Sequence, residues 1–241
     1  MSMTELSTTL ADLADRNLRR DIVAGVLKPG EKLSIASLIK RYAIGASPLR
    51  EALSRLSTDR LVVLEGKRGF TVAPISAAEL DDISICRRLV ETEAVRLAVE
   101  HGDETWEARV VAAFHRLDRA EERARQHPAA DPVEWEQRNS EFHAAVVSAC
   151  GSTWLIRLQT MLYAQHERYR RLSLLHRDPA RDLQAEHRAI MQACLDRDAA
   201  GAARLSGEHI DRTAAAVHAV FASGGNKPAS RPRAAARKSA A

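Results

Sequence analysis

The sequence predicts a mainly α-helical protein: an N-terminal winged helix-turn-helix with a β-hairpin wing, followed by an all-α antiparallel bundle of six helices. Three observations predict it. Apolar residues recur at helical spacing along most of the chain, and a strand pattern occurs only near residues 61–72. Aromatics are only 4% of a composition carried largely by Ala, Leu and Arg, whereas long β regions want Val, Ile, Tyr and Phe. With 241 residues, 45% hydrophobic and 28% charged, the chain can bury a real core in one large domain or two small ones.

A first helix is expected over roughly Glu5–Ala24, where Leu10, Leu13, Ala14, Leu18, Ile22 and Val23 recur near helical spacing. Gly25 and Lys28-Pro29-Gly30 stop it and turn the chain. Ser34 is placed to cap a short helix that carries Leu38 and Ile39 and ends near Tyr42. In the third helix Ser47 is a natural N-cap with Pro48 at the first helical position. Leu49, Ala52, Leu53 and Leu56 then face the core, leaving Arg50, Ser54 and Ser57 outward. A cation at Arg50, near the positive end of the helix, suits a phosphate or base edge brought from outside. Leu61–Leu64 and Phe70–Val72 make a hairpin whose tip, Glu65-Gly66-Lys67-Arg68-Gly69, is basic and bounded by glycine. Helices followed by such a hairpin describe a winged helix-turn-helix, with the third helix for the major groove of double-stranded DNA and the tip for backbone or minor groove. The alternative is a small helical cap with a solvated charged hairpin.

Charge supports a division into residues 1–75, 76–222 and 223–241. The first holds 12 basic against 8 acidic residues, the second 19 against 24, and the last 5 against none. The tail is rich in Ser, Gly, Pro and Ala, and is expected to be disordered, either solubilising the chain or adding attraction to a polyanion. Residues 73–76 form a linker, and Ser76-Ala77-Ala78-Glu79 reads as a capping box opening the bundle. Its six helices are punctuated by Gly102-Asp103, Pro128 with Asp131-Pro132, Gly151-Ser152, Asp178-Pro179 and the stretch from Asp198 to Gly201. Three scattered cysteines form no metal or disulfide framework. No apolar stretch approaches a membrane span, and the first residues lack a signal-peptide core, so a cytoplasmic protein with no membrane partner is expected.

Three of the nine histidines fall inside apolar stripes. His143 lies with Trp135, Asn139, Phe142, Val146 and Cys150; His187 with Leu183, Ile190, Met191 and Cys194; His209 with Leu205, Thr213, Ala216 and Val220. A buried imidazole costs a few kcal/mol unless its nitrogens are satisfied. Either each ring has its own hydrogen bonds, or the three share a divalent metal ion with Asn139, one turn before His143. The remaining six, His101, His127 and His176 among them, are expected at the surface. Arg87 has the chemistry to clamp a carboxylate bidentately, or equally to pair with Glu91 four residues on. Tyr169 is a further pocket candidate.

The stretches GVLKPGEKL, SPLREALSRL and GKRGFTVAPIS closely resemble the GntR family of bacterial transcription regulators. The resemblance implies that Ser47, Arg50 and the wing residues Lys67, Arg68 and Gly69 contact DNA, to which the outward Ser54 is added. Ala46 and Ala36 stand where some members carry arginine, so no operator sequence carries over. Glu141-Phe142-His143, Glu186-His187 and His209 look like the FCD effector domain of the FadR subfamily. That resemblance implies zinc or nickel on Asn139, His143, His187 and His209, with a small carboxylate effector beside it near Arg87. Wording around Gly45–Pro48 and Ala149–Ser152 is similar to the branch that governs dicarboxylate catabolism, and points to a C4–C5 dicarboxylate such as glutarate. A homodimeric repressor of a catabolic operon is the function implied. The competing class is a metal-dependent hydrolase, against which stands the lack of a general base, since Glu141 points about 100° away from Phe142.

Overall fold

A computed structural model describes residues 9–64, 66, 69–126, 132–175 and 181–223. Outside them lie Glu5, Lys67, Arg68, His127, His176, the turns at Pro128–Asp131 and Asp178-Pro179, and the tail beyond Ser223.

The first helix, α1 (Leu10–Val23), starts behind Thr9, whose hydroxyl accepts from the Asp12 N–H while Asp12 returns the bond to the Thr9 N–H. This reciprocal cap fixes the described start at Leu10. Ala14, Leu18 and Ile22 are buried, but Leu10 and Leu13, expected on the core face, are exposed. A two-residue strand, β1 (Lys32–Leu33), precedes α2 (Ile35–Tyr42) and was not legible in so short a run. The next helix, α3 (Ala46–Thr58), begins two residues earlier than Ser47 implies, because extended Gly45 is its N-cap. Ser47 and Pro48 therefore sit inside the first turn, where a missing N–H costs no helical bond. Leu49, Ala52, Leu53 and Leu56 are all buried, as their spacing requires.

Strands β2 (Val62–Leu64) and β3 (Phe70–Val72) pair antiparallel, with Val62 opposite Val72, and β1 adds to the other edge of β3. Between them Gly66 and Gly69 both have positive φ, which a side chain would resist. These helices and strands enclose one apolar core built on Leu18, Leu49, Leu53, Leu56 and Val72. Leu53→Ala is expected to lower unfolding free energy by about 2–5 kcal/mol, since a fully buried leucine leaves a cavity. Urea denaturation reads this directly, and a loss below about 1 kcal/mol would mean that the core repacks.

Six further helices follow among the described residues: α4 (Ala77–His101), α5 (Glu104–Gln126), α6 (Pro132–Val147), α7 (Thr153–Leu175), α8 (Leu183–Leu195) and α9 (Ala199–Ala222). Their core runs through Val95, Trp106, Leu117, Phe142 and Ile190. Ser76 caps α4 by accepting from the Glu79 N–H. The other half of the expected box is taken over by Tyr169, which receives the Ser76 N–H at 3.3 Å and donates to the Glu79 carboxylate at 2.5 Å. Helix α7 also grips the first core. Gln165 donates to the Asp59 carbonyl, at the C-terminal cap of α3, and Arg168 donates to the Ala73 carbonyl. None of the described helices is long and apolar enough to cross a membrane.

Candidate functional site

Two sets of residues stand out. On α3, Ser47, Arg50 and Ser54 are exposed, and spacings of three and four residues put them on one face. Arg50 has no ion pair or hydrogen bond among the described residues, whereas Arg55 is held by Asp12 at 2.7 Å and Glu51 at 2.6 Å. With the helix beginning at Ala46, Arg50 opens the second turn rather than lying in the first. Gly69 reaches its place by a φ of 86°. Lys67 and Arg68 lie outside the described residues.

The second set occupies the middle of the bundle. His143 from α6, His187 from α8 and His209 from α9 bring one ligand atom each within 4.8 Å of the others. Their ring centroids are 4.8–5.6 Å apart. Each Nδ1 faces a different carboxylate: His143 to Glu91 at 3.0 Å, His187 to Glu121 at 2.9 Å, and His209 to Glu186 at 2.8 Å. A carboxylate only accepts, so each Nδ1 carries the proton and each Nε2 keeps its lone pair. The Nε2 atoms of His143 and His187 are buried with no hydrogen-bond partner among the described residues.

Burial drives the His143 imidazole down to about 4, only partly opposed by Glu91, and takes His209 well below the ordinary range. These rings are neutral donors at pH 7. Burial alone would raise Glu91, but Arg87 and His143 outweigh it and hold the carboxylate far below its usual value. Arg181 and His209 do the same for Glu186 against its burial. Glu121 has no Lys or Arg partner among the described residues, and its Oε2 is buried and unpaired. The Glu121 carboxylate thus faces His187 without a guanidinium or ammonium beside it among the described residues.

Asn139 is buried one turn before His143; its amide donates to the Tyr163 hydroxyl at 2.7 Å, and its Oδ1 has no partner among the described residues. Three imidazole lone pairs, an amide oxygen and a surplus carboxylate charge fit a divalent cation, and carboxylate–imidazole pairs are the usual outer support of such a donor set.

Arg87 is not poised as a free clamp. Its Nε and Nη2 donate to Glu91 at 2.8 and 3.3 Å, its Nη1 meets His166 at 3.1 Å, and its guanidinium carbon lies 4.7 Å from the Tyr163 ring centre. Tyr169 is not brought to the imidazoles but packs with Ile75, Leu80 and Val217 at the start of α4. The tyrosine beside His143 is Tyr163, with ring centres 5.6 Å apart. Of the six histidines expected at the surface, His115 is exposed, but His166 is fully buried. Its charged neighbours in the sequence, Glu167, Arg168 and Arg170, concealed it. Glu91 pairs with Arg87 as their spacing allows, but its contact with His143 was missed, as was Glu121, which interrupts the apolar stripe Val110, Ala113, Leu117, Glu121.

A family model described as "Bacterial regulatory proteins, gntR family" matches residues 10–72, and one described as "FCD domain" matches residues 82–212. The chain is 41% identical to the regulator BphR of Paraburkholderia xenovorans over 209 residues, covering 87% of this chain and 85% of that one. It is 38% identical to the HTH-type transcriptional repressor GlaR of Escherichia coli over 199 residues, covering 81% and 90%. Among solved structures, Escherichia coli McbR/YncC superposes with a TM-score of 0.75 at 22% identity, over 88% of this chain and 99% of that chain. At that identity the likeness speaks to the fold.

Proposed function

Because the chain belongs to the gntR family of bacterial regulatory proteins and carries an FCD domain, it is a transcriptional regulator, and we propose that it is a metal-dependent, carboxylate-responsive repressor of a catabolic operon. The hydrolase alternative falls with the family, whose members regulate transcription. Repression is supported by the name of the relative GlaR. The observation that carries the sensing half is the pairing of each imidazole Nδ1 with a separate carboxylate, which leaves the Nε2 lone pairs for a cation in a cluster whose ligand atoms lie within 4.8 Å of one another.

Asn139, His143, His187 and His209 would hold the cation, zinc or nickel by donor type. Bound there it would supply a position for a carboxylate oxygen. The charges favour such a ligand. Glu91 is paired with Arg87, and Glu186 with Arg181 and Arg212, whereas Glu121 meets no Lys or Arg among the described residues. A residual positive charge in a buried site attracts an anion, in keeping with a C4–C5 dicarboxylate. A cleft of about 850 Å³ between α8 and α9, lined by Arg181, Glu186 and Arg212, borders the site through Glu186.

The response reaches DNA through α7. This helix presents Tyr163 and His166 to the site, while Gln165 holds the carbonyl of Asp59, the C-cap residue of α3, and Arg168 holds the linker. A small rotation of α7 re-aims Ser47, Arg50 and Ser54. In a homodimer on a pseudo-palindromic operator, both half-sites feel it at once, with Lys67, Arg68 and Gly69 at the wings. Tyr169 acts here as a fastener between α7 and the linker rather than as an effector contact.

His187→Ala is expected to reduce zinc from about one ion per chain to near none, because a site of four donors loses a ligand aimed by Glu121. Elemental analysis after dialysis reads the loss. Zinc at about 100 times its Kd should raise wild-type stability by about 2.7 kcal/mol and leave the variant unchanged. Equal zinc in both proteins would place the metal elsewhere.

A further inference from the structure

Among the described residues the bundle buries four imidazoles, and the fourth is wired in the opposite sense. His143, His187 and His209 each turn Nδ1 to a carboxylate, but His166 turns Nδ1 to the Arg87 guanidinium at 3.1 Å. A guanidinium has five N–H donors and no acceptor. The His166 Nδ1 must therefore be the acceptor, and the ring's proton sits on Nε2. That Nε2 is buried and has no hydrogen-bond partner among the described residues. Three rings thus offer Nε2 lone pairs, which suit a cation, and one offers an Nε2–H, which does not.

We propose that the His166 Nε2–H is the donor that recognises an acceptor oxygen of the ligand, with Arg87 as the positioning residue that fixes its tautomer. This rests on reading the imidazole cluster as an anion sensor. The ligand class is a small carboxylate whose oxygen takes the hydrogen bond, and an ammonium or other donor group at that point is rejected. Arg87 is itself held in place, since Glu91 takes two of its nitrogens and the Tyr163 ring covers its face. Burial first, then the Arg87 and Arg170 charges, lower the His166 pKa and keep the ring neutral. An unpaired buried donor is costly, so an incoming oxygen relieves a defect that the metal leaves in place.

Two measurements test it. In metal-free ¹⁵N-labelled protein at neutral pH, two-bond ¹⁵N–¹H correlations of the imidazoles should show His166 as the Nε2–H tautomer and the other three as Nδ1–H. A protonated Nδ1 on His166 would overturn the proposal, whether or not metal binds later. In zinc-loaded protein, calorimetry with succinate and glutarate should show His166→Leu weakening binding about tenfold or more, and His166→Gln, which keeps an amide donor, restoring part of it. Zinc affinity should stay within about threefold of wild type, as expected of a residue that is not a ligand. Zinc loss in His166→Leu matching that of His143→Ala would make His166 a metal ligand and overturn the proposal while leaving the sensor reading intact. Unchanged dicarboxylate affinity would overturn it as well. Wild-type protein that binds neither zinc nor these acids would instead defeat the sensor reading, and this proposal with it.

Discussion

Glu91→Ala is expected to lower the unfolding free energy by about 3–5 kcal/mol, a large part of the roughly 5–15 kcal/mol that holds a domain together. Glu91 is 1% exposed and pairs with Arg87, also 1% exposed, at 2.8 Å. Alanine would strand the guanidinium in the bundle with His166 and the Tyr163 ring as its remaining neighbours. It would also release His143 Nδ1. The double replacement Glu91→Leu with Arg87→Met separates these effects. It removes both charges and should recover most of the stability, because an ion pair swapped for apolar residues of similar volume is often neutral. Zinc affinity should nevertheless remain about 10–100-fold weaker, the usual cost of losing the group that orients a ligating imidazole. Urea denaturation and zinc competition titrations measure the two quantities. A single variant within about 1 kcal/mol of wild type would show that the pair is not a structural keystone.

Arg50→Ala is expected to leave folding within about 0.5 kcal/mol and to cost operator affinity heavily. Arg50 is exposed and has no partner within the described chain, so its removal breaks nothing internal. A bidentate arginine–base contact contributes about 1–3 kcal/mol per site, and the proposed two-fold dimer would make the contact twice. The expected loss is therefore roughly 30-fold to more than 10⁴-fold. Arg55→Ala is the control, since Arg55 is spent on Asp12 and Glu51 and should matter far less for recognition. Fluorescence anisotropy on an operator selected from random duplexes, against a scrambled duplex, gives the answer. An equal loss on both duplexes would make Arg50 a phosphate contact and not a reader of bases.

Local periodicity carries the parts of the fold that repeat within a turn or two. Leu49, Ala52, Leu53 and Leu56 mark the buried face of α3 without reference to anything else, and the three histidine stripes likewise point their rings into the bundle. What periodicity cannot carry is pairing over distance. The carboxylates that aim the imidazoles lie 52, 66 and 23 residues away in sequence, on helices whose mutual rotation no local pattern fixes. The two tyrosines of α7 show the same limit. Tyr163 and Tyr169 are six residues apart, hence roughly 120° apart around the helix, so only one can face the site. Their flanks differ, Leu162 and Ala164 against Arg168 and Arg170, but local polarity does not fix which way α7 is rotated in the bundle. Helix starts fail for a different reason: Ser47 is the better capping side chain, but Gly45 has the extended backbone the cap needs.

The sensor account stands or falls on the affinity for the selected operator of zinc-loaded protein titrated with glutarate or succinate, compared with the His143→Ala protein. Coupling between distant sites is typically about 1–3 kcal/mol, so operator affinity should fall about 5–150-fold for the loaded wild type and stay flat for the variant. An equal response in both proteins, or an unchanged affinity in the loaded wild type after it has demonstrably bound the acid, would contradict it.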